Sequence, residues 1–103
     1  MSDRLKQLQD FLLERPGDGF LRHALALEYV KLGQDDQALS TWIELLKDQP
    51  EYVGSYYHLG KLHERQQNLD EAESVYKKGI EAANAAGDRH AAGELNTALM
   101  LLD

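Results

Sequence analysis

The sequence of 103 residues has no cysteine, only two prolines, and 11 lysine and arginine residues against 18 aspartate and glutamate residues. Without cysteine the chain forms no disulfides, no thiolate zinc sites and no thiol nucleophiles. Its formal net charge of −7 disfavours binding to a polyanion such as a nucleic acid. It also lacks a signal-peptide-like start and any run of about 18 apolar residues that could span a membrane. We therefore expect a cytoplasmic protein that binds neither nucleic acids nor membranes.

Apolar residues recur along the whole sequence at intervals of three and four, the spacing that places them on one face of a helix. Six such patterns are separated by short breaks, and no segment alternates apolar and polar residues for long enough to form a sheet. The length fits one compact domain. The sequence therefore predicts a single all-α domain, residues 1–103, with about six antiparallel helices.

Residues that favour helix ends lie at the breaks between these patterns. The first helix is expected to begin near Ser2 or Asp3 and the second to end at Gly33, in the left-handed conformation that glycine tolerates. Asp35 or Asp36 is expected to cap the third helix through its side chain.

An internal repeat appears when the sequence is compared with itself at an offset of 34 residues. The matched positions carry identical, small or large aromatic residues: Leu25 with Leu59, Ala26 with Gly60, Asp36 with Asp70, Ala38 with Ala72, and Trp42 with Tyr76. Small residues suit a close approach of two helices, and aromatic residues fill the space between neighbouring helix pairs. Pro16 falls on Pro50 at the same offset, so the first helix matches the second helix of a repeat.

These positions resemble the tetratricopeptide repeat family, whose 34-residue unit is a helix-turn-helix with such a signature. The signature residues in the two copies are Leu25, Ala26, Tyr29, Gly33, Ala38, Trp42, Leu45 and Pro50, then Tyr56, Leu59, Gly60, Ala72 and Tyr76. The resemblance implies a right-handed α–α superhelix with an orphan repeat helix (2–16), repeat 1 (19–52), repeat 2 (53–86) and a capping helix (88–102). The second copy departs from the signature at His63, Gly79 and Asn84, which predicts looser packing and a closing turn that continues as helix.

The resemblance also implies a function, because such stacks present a concave groove lined by the first helix of each pair. We expect a protein–protein interaction scaffold that binds a peptide or a partner protein there. The implied groove residues are Phe20, His23, Leu27, Val30 and Lys31 in repeat 1, and Gly54, Tyr57, Lys61, Glu64 and Arg65 in repeat 2. Phe20, Leu27 and Tyr57 are the principal candidates, and a solvated helix surface is the alternative for the others.

Lys61 and Arg65 lie one helical turn apart and allow two interpretations. They either meet an acidic group of a ligand or form surface ion pairs with Glu64 and neighbouring acids. Some members of the family hold the C-terminal carboxylates of chaperones in a clamp of lysine, arginine and asparagine. His23 and Leu27 stand where that clamp needs lysine and asparagine, so it is incomplete in this sequence.

Catalysis and metal binding are not expected. His58 and His63 are five residues apart, whereas a zinc pair on one helix face needs a spacing of four. His63 occupies a signature aromatic position, which predicts a packed histidine with one nitrogen hydrogen-bonded. No glycine-rich phosphate loop and no pairing of histidine with a serine or cysteine nucleophile is present. Lys77 and Lys78, the only adjacent basic pair, are flanked by acids, so we expect no enzyme, no cofactor and no nucleic-acid site.

The alternative function is self-association through the end helices. Met100 and Leu101 do not fit the inward apolar stripe of the last helix, and Leu13 is similarly left over from the first. Because a terminal helix of a repeat stack usually presents a polar outer face, this pattern predicts a weak homodimer through the C-terminal helix. Fraying of the last turn is the competing explanation.

Overall fold

The computed structural model describes residues 2–102, which form six α-helices and, within that range, no strand. The helices are α1 (Asp3–Glu14), α2 (Gly19–Lys31), α3 (Asp35–Asp48), α4 (Gly54–Arg65), α5 (Leu69–Ala86) and α6 (Arg89–Met100). The all-α prediction is confirmed. No helix within residues 2–102 combines the length and the apolar character that a membrane crossing requires.

The six helices divide into two compact units, with the boundary between Gln49 and Pro50. In the first unit α2 packs against both α1 and α3. In the second unit α5 packs against both α4 and α6, and α4 also contacts α6 directly. Residues of α4 and α6 also line a cleft between the two helices.

Two of the predicted helix ends are confirmed. The Ser2 side chain accepts a hydrogen bond from the backbone N–H of Leu5 at 3.2 Å, which caps α1. Gly33 follows α2 with φ of +75°, the left-handed conformation. The start of α6 is capped in the same way as α1, since Asp88 accepts a hydrogen bond from the N–H of Ala91 at 3.0 Å.

The predicted cap of α3 is wrong. Gln34 occupies the N-cap position and no side-chain capping hydrogen bond forms. Asp35 and Asp36 lie one position further on, in the first turn of the helix. Their negative charges there face the positive end of the helix dipole, which is a favourable but weaker contribution than a cap.

Each unit has an apolar core that includes matched repeat positions. The buried apolar residues are Leu5, Leu8, Ala24, Ala26, Ala38, Trp42 and Leu45 in the first unit, and Tyr56, Leu59, Leu62, Ala72, Tyr76, Ala83, Ala92, Leu95 and Ala98 in the second. Both sets combine small alanine side chains with large aromatic ones, Trp42 in the first unit and Tyr56 and Tyr76 in the second. Large rings beside small side chains allow close packing.

Two glycines of the second unit allow helices to touch. A Cβ atom at Gly60 would lie 2.2 Å from Cε1 of Tyr76, and one at Gly79 would lie 2.6 Å from Cβ of Tyr56. The expected looser packing is therefore wrong at Gly79, because the missing side chain is replaced by Tyr56. The continued closing turn is confirmed, since α5 has 18 residues where α3 has 14 and ends before Gly87.

Candidate functional site

An open cleft of about 600 Å³ lies between α4 and α6 in the second unit. The lining residues combine apolar surface, hydroxyls and charges: Tyr57, Lys61, Arg89, His90, Gly93, Glu94, Thr97, Ala98 and Leu101. A smaller pocket of about 300 Å³, with Val53, Gly54 and His58 in its wall, shares Tyr57 and Glu94 with this cleft. The two pockets therefore adjoin along α4 and α6.

Helical spacing explains why these side chains meet. Tyr57 and Lys61 are four residues apart on α4, so they lie one above the other on the same face. On α6, Arg89, Gly93 and Thr97 are likewise spaced by four and face α4 across the cleft. Gly93 has open space where a Cβ atom would project, so the cleft is not filled from this side.

Lys61 is held in place by two neighbours on its own helix. Its Nζ atom lies 5.4 Å from the centroid of the Tyr57 ring, within the range of a cation–π interaction. The same Nζ lies 3.6 Å from Oε2 of Glu64. The surface ion pair that the sequence offered as one interpretation of Lys61 is therefore formed.

Glu64 is tied to the core of the second unit. The Tyr76 hydroxyl donates a hydrogen bond to Oε2 of Glu64, the oxygen that faces Lys61. Tyr76 itself is fully buried, with its ring against Gly60. Burial and the hydrogen bond to the Glu64 carboxylate raise the pKa of Tyr76 far above its ordinary value, so the hydroxyl remains a donor.

The α6 side of the cleft carries a second set of charges. Nε2 of His90 lies 3.6 Å from Oε1 of Glu94, and both side chains are exposed. Within residues 2–102, no carboxylate lies within the ion-pairing distance of 4.0 Å from the Arg89 guanidinium. Lys61 and Arg89 are the two permanent positive charges of the cleft wall, and the carboxylate of Glu94 lies in the same wall. Glu64, at 3.6 Å from Lys61, places a second negative charge next to the cleft.

Two histidines near this site are affected by burial. Burial lowers the pKa of His58, and the nearby negative charge of Glu94 opposes the effect. His63 is only 6% exposed, and its Nδ1 has no hydrogen-bond partner. Burial lowers the pKa of His63 as well, against the opposing charge of Glu71. Within residues 2–102, no group of three or more histidine and carboxylate side chains is placed to hold a metal ion.

The residues predicted on α2 lie in the first unit. Phe20 is 70% exposed, and Leu27 and Lys31 are also exposed, whereas Val30 is half-buried. His23 has a structural contact, because its Nδ1 accepts a hydrogen bond from Nε1 of Trp42 at 3.0 Å. The rings of these two residues lie 5.8 Å apart. The role of the α2 residues in binding stays a prediction.

On α4 the structure separates the predicted residues into groups. Tyr57 and Lys61 line the large cleft, and Gly54 lines the smaller pocket. Glu64 contacts Lys61 from behind, and Arg65 is not part of the cleft wall. The α6 residues were missed, although their spacing of four along one helix face was a usable signal: Arg89, Gly93 and Thr97, with His90 and Glu94.

Comparison with known proteins agrees with this architecture. The family model described as Tetratricopeptide repeat matches residues 23–92. The chain belongs to the tetratricopeptide repeat family. The predicted family and the helical-repeat fold are thereby confirmed. No curated protein sequence matches the chain.

Several solved structures are similar to this chain over most of its length. A tetratricopeptide repeat domain protein from Salinibacter ruber is 42% identical with a TM-score of 0.82, covering 85% of this chain and 89% of that one. A protein from Bordetella parapertussis is 27% identical with a TM-score of 0.82, covering 99% and 89%. A type III secretion translocator chaperone from Yersinia enterocolitica, at 18% identity, shares the fold with a TM-score of 0.86, covering 97% and 70%.

Proposed function

We propose that this tetratricopeptide repeat protein is a protein–protein interaction scaffold that binds a peptide segment of its partner in the cleft between α4 and α6. The observation that carries the proposal is the composition of this cleft, which joins apolar surface to the two permanent positive charges of Lys61 and Arg89. Binding sites that use a few apolar anchors within a polar rim fit this arrangement. Two permanent cations beside Glu94 favour a partner with an acidic group.

The cleft has surface that suits both an apolar and an acidic side chain of such a peptide segment. Leu101 is 74% exposed at one end of the cleft and provides apolar surface together with Ala98 and the Tyr57 ring. An apolar side chain of the partner that covers Leu101 removes this surface from water, which is favourable. An acidic side chain next to it comes within reach of the cations.

The face of α2, in the first unit, is proposed as a further region for contact with a protein partner. Its exposed apolar residues, Phe20 and Leu27, stand beside the cationic Lys31. The remaining predicted groove residues on this helix are His23 and Val30, and Arg65 is the remaining one on α4. A similar fold is used by the Yersinia translocator chaperone and by the Sgt2 repeat domain from Aspergillus fumigatus, which supports protein binding in general terms.

Selection from a random peptide library displayed on phage tests the proposal. The wild-type chain is the bait, and the variant Leu101→Glu is the bait for counter-selection, because a new negative charge at the cleft opposes an acidic apolar ligand. Met100→Glu is the matched control, since Met100 is 83% exposed and does not line the cleft. We expect peptides with an apolar residue beside an acid that bind wild type and Met100→Glu but not Leu101→Glu. Peptides that bind all three equally would place the site elsewhere.

Self-association through the end helices is the second candidate function. It is favoured by the exposure of Met100 and Leu13, neither of which lines the cleft. We expect sedimentation equilibrium to show a weak homodimer whose affinity falls in Met100→Glu with Leu101→Glu. A monomeric mass up to high micromolar concentration would leave the cleft as the candidate interface. The cytoplasmic location, the lack of catalysis and the lack of nucleic-acid binding stay predictions from the sequence.

A further inference from the structure

We propose that copies of this chain associate head to tail, with one face of α1 of one copy packed against one face of α6 of the next. The inference rests on self-association, the second candidate function, and names the two surfaces that meet. In the repeat pattern α1 is the second helix of a pair without its first, and α6 is the first helix of a pair without its second. Each copy therefore carries both halves of a helix pair.

The helix α1 matches the second helices α3 and α5 at the offset of 34 residues, where Phe11 falls on Leu45 and Gly79. Both of those positions are buried. In the pair formed by α4 and α5, Gly79 lies directly against Tyr56 of α4. Phe11, by contrast, is 54% exposed. The side of α1 that corresponds to the contact with a first helix, its Phe11 face, is therefore open to solvent.

The helix α6 matches the first helix α4 at an offset of 36 residues. Leu59 and Leu62 then fall on Leu95 and Ala98, and all four side chains are buried. The register differs from that of the repeat because α5 has 18 residues where α3 has 14. The match shows which sides of α6 and α4 correspond.

The side of α4 that contacts α5 is exposed on α6. On α4, Gly60 and Glu64 both contact Tyr76 of α5. Their equivalents on α6 are Asn96 and Met100, and both are exposed. This Met100 face is the surface on which α4 carries its second helix, and a second helix from another copy fits there.

The Phe11 face and the Met100 face are complementary in size. In the second helix pair a large residue of α4, Tyr56, packs against a small residue of α5, Gly79. In the head-to-tail contact the order is reversed, since Ala92 of α6 takes the position of Tyr56 and Phe11 of α1 takes that of Gly79. One large and one small residue meet in both cases, as close packing requires.

The charges along the two faces are complementary as well. A short turn joins α4 and α5 into an antiparallel pair. The same arrangement of α1 on α6 places Arg4, which also pairs with Glu28 of α2 at 3.8 Å, near the C-terminal end of α6. It places Glu14 near the N-terminal end of α6. A cation at the end of a helix and a carboxylate at its start both interact favourably with the helix dipole.

Two variants each block one of the two faces, and sedimentation equilibrium of the full chain measures the effect. Phe11→Lys places a charge in the Phe11 face, and Met100→Lys places one in the Met100 face. We expect the wild type to associate at high micromolar concentration. Each variant should associate about tenfold more weakly or worse, because a charge enters a contact that excludes water.

Leu13→Lys and Leu101→Lys are the matched controls, with the same change of charge on the same two helices. Leu13 corresponds to Lys47 of α3, and Leu101 corresponds to Arg65 of α4. Lys47 and Arg65 are exposed in the structure, so a cation is accommodated at both positions. We expect both controls to associate like the wild type.

Mixing the two blocked variants tests the head-to-tail arrangement itself, because such a contact joins two different surfaces. Phe11→Lys keeps an intact Met100 face, and Met100→Lys keeps an intact Phe11 face. We expect an equimolar mixture to form a heterodimer that does not grow further. When only Phe11→Lys is isotope-labelled, the amide signals that shift on mixing should lie in α6. When only Met100→Lys is labelled, they should lie in α1.

Three results overturn the proposal. A mixture that stays monomeric, although the wild type associates, would refute the head-to-tail contact and leave a two-fold symmetric self-association. Controls that weaken association as strongly as the blocked variants would show that other faces meet. A strictly monomeric wild type would refute self-association together with this inference, whereas binding of a selected peptide in the cleft is tested separately and is unaffected.

Discussion

Gly60 is the position where a single methyl group should have the largest structural effect. In Gly60→Ala the new Cβ would lie 2.2 to 2.7 Å from three atoms of the Tyr76 ring. Carbon atoms in contact are normally about 3.5–4.0 Å apart, so the ring must shift by about 1 Å or more. Tyr76 has no free space for such a shift, because it is fully buried and its hydroxyl is bonded to Glu64.

The expected cost follows from three contributions. Overpacking of a core costs about 1–3 kcal/mol, and loss of the hydrogen bond to the charged Glu64 costs about 1.5–3 kcal/mol. Alanine regains about 1 kcal/mol over glycine through its higher helix propensity. Gly60→Ala should therefore lower the free energy of unfolding by about 1.5–5 kcal/mol, a large part of the total stability of a small domain.

Urea denaturation followed by circular dichroism measures this change, and Gly93→Ala is the matched control. Gly93 is also a helix-interior glycine, but nothing lies within 4 Å of its would-be Cβ. Gly93→Ala should therefore stabilise the protein by up to about 1 kcal/mol. The reasoning is refuted if Gly60→Ala is as stable as the wild type, or if the two variants change stability in the same direction.

Two further predictions concern buried aromatic and histidine side chains. Trp42 is 1% exposed and hydrogen-bonded to His23, so Trp42→Ala should cost about 3–5 kcal/mol in urea denaturation; an unchanged midpoint would contradict this. Burial holds the pKa of the His63 imidazole below its ordinary 6.5 in the folded protein. In the unfolded chain the imidazole takes up a proton at a higher pH than in the folded protein, so the free energy of unfolding falls as the pH drops below about 6.5. His63→Leu should lose less stability than the wild type between pH 7.5 and 5.5. The lowered pKa of His58 should still give the variant some pH dependence. A pH dependence equal to that of the wild type would exclude His63 as a cause.

Helices and repeats were predictable because their signals are local. The spacing of apolar residues defines a helix face within a few turns. Small and aromatic residues recur at an offset of 34 residues, where Ala38 matches Ala72 and Trp42 matches Tyr76. The α3 cap failed because a shift of one residue separates a capping aspartate from one in the first turn. Asp35 and Gln34 are neighbours, and the sequence does not distinguish the two registers.

The site was predictable only in part, because its second wall lies outside the repeat pattern. Tyr57 and Lys61 follow from the first helix of repeat 2, but α6 carries Gly93 and Glu94 where the signature expects leucine and a small residue. That departure was the basis for treating α6 as a cap. In the structure the same two residues line the cleft. The contact of Tyr76 with Glu64 joins two helices across 12 residues, and no local pattern contains such information.

The central claim is that the partner binds between α4 and α6, and NMR mapping with a library-selected peptide tests it most directly. The peptide is titrated into the labelled chain, and amide shifts are compared between wild type, Leu101→Glu and Met100→Glu. We expect the largest shifts at Tyr57, Lys61 and residues 89–101, lost in Leu101→Glu and retained in Met100→Glu. Largest shifts on the exposed face of α5, around Glu73 and Lys77, or an equal response of both variants, would contradict the claim.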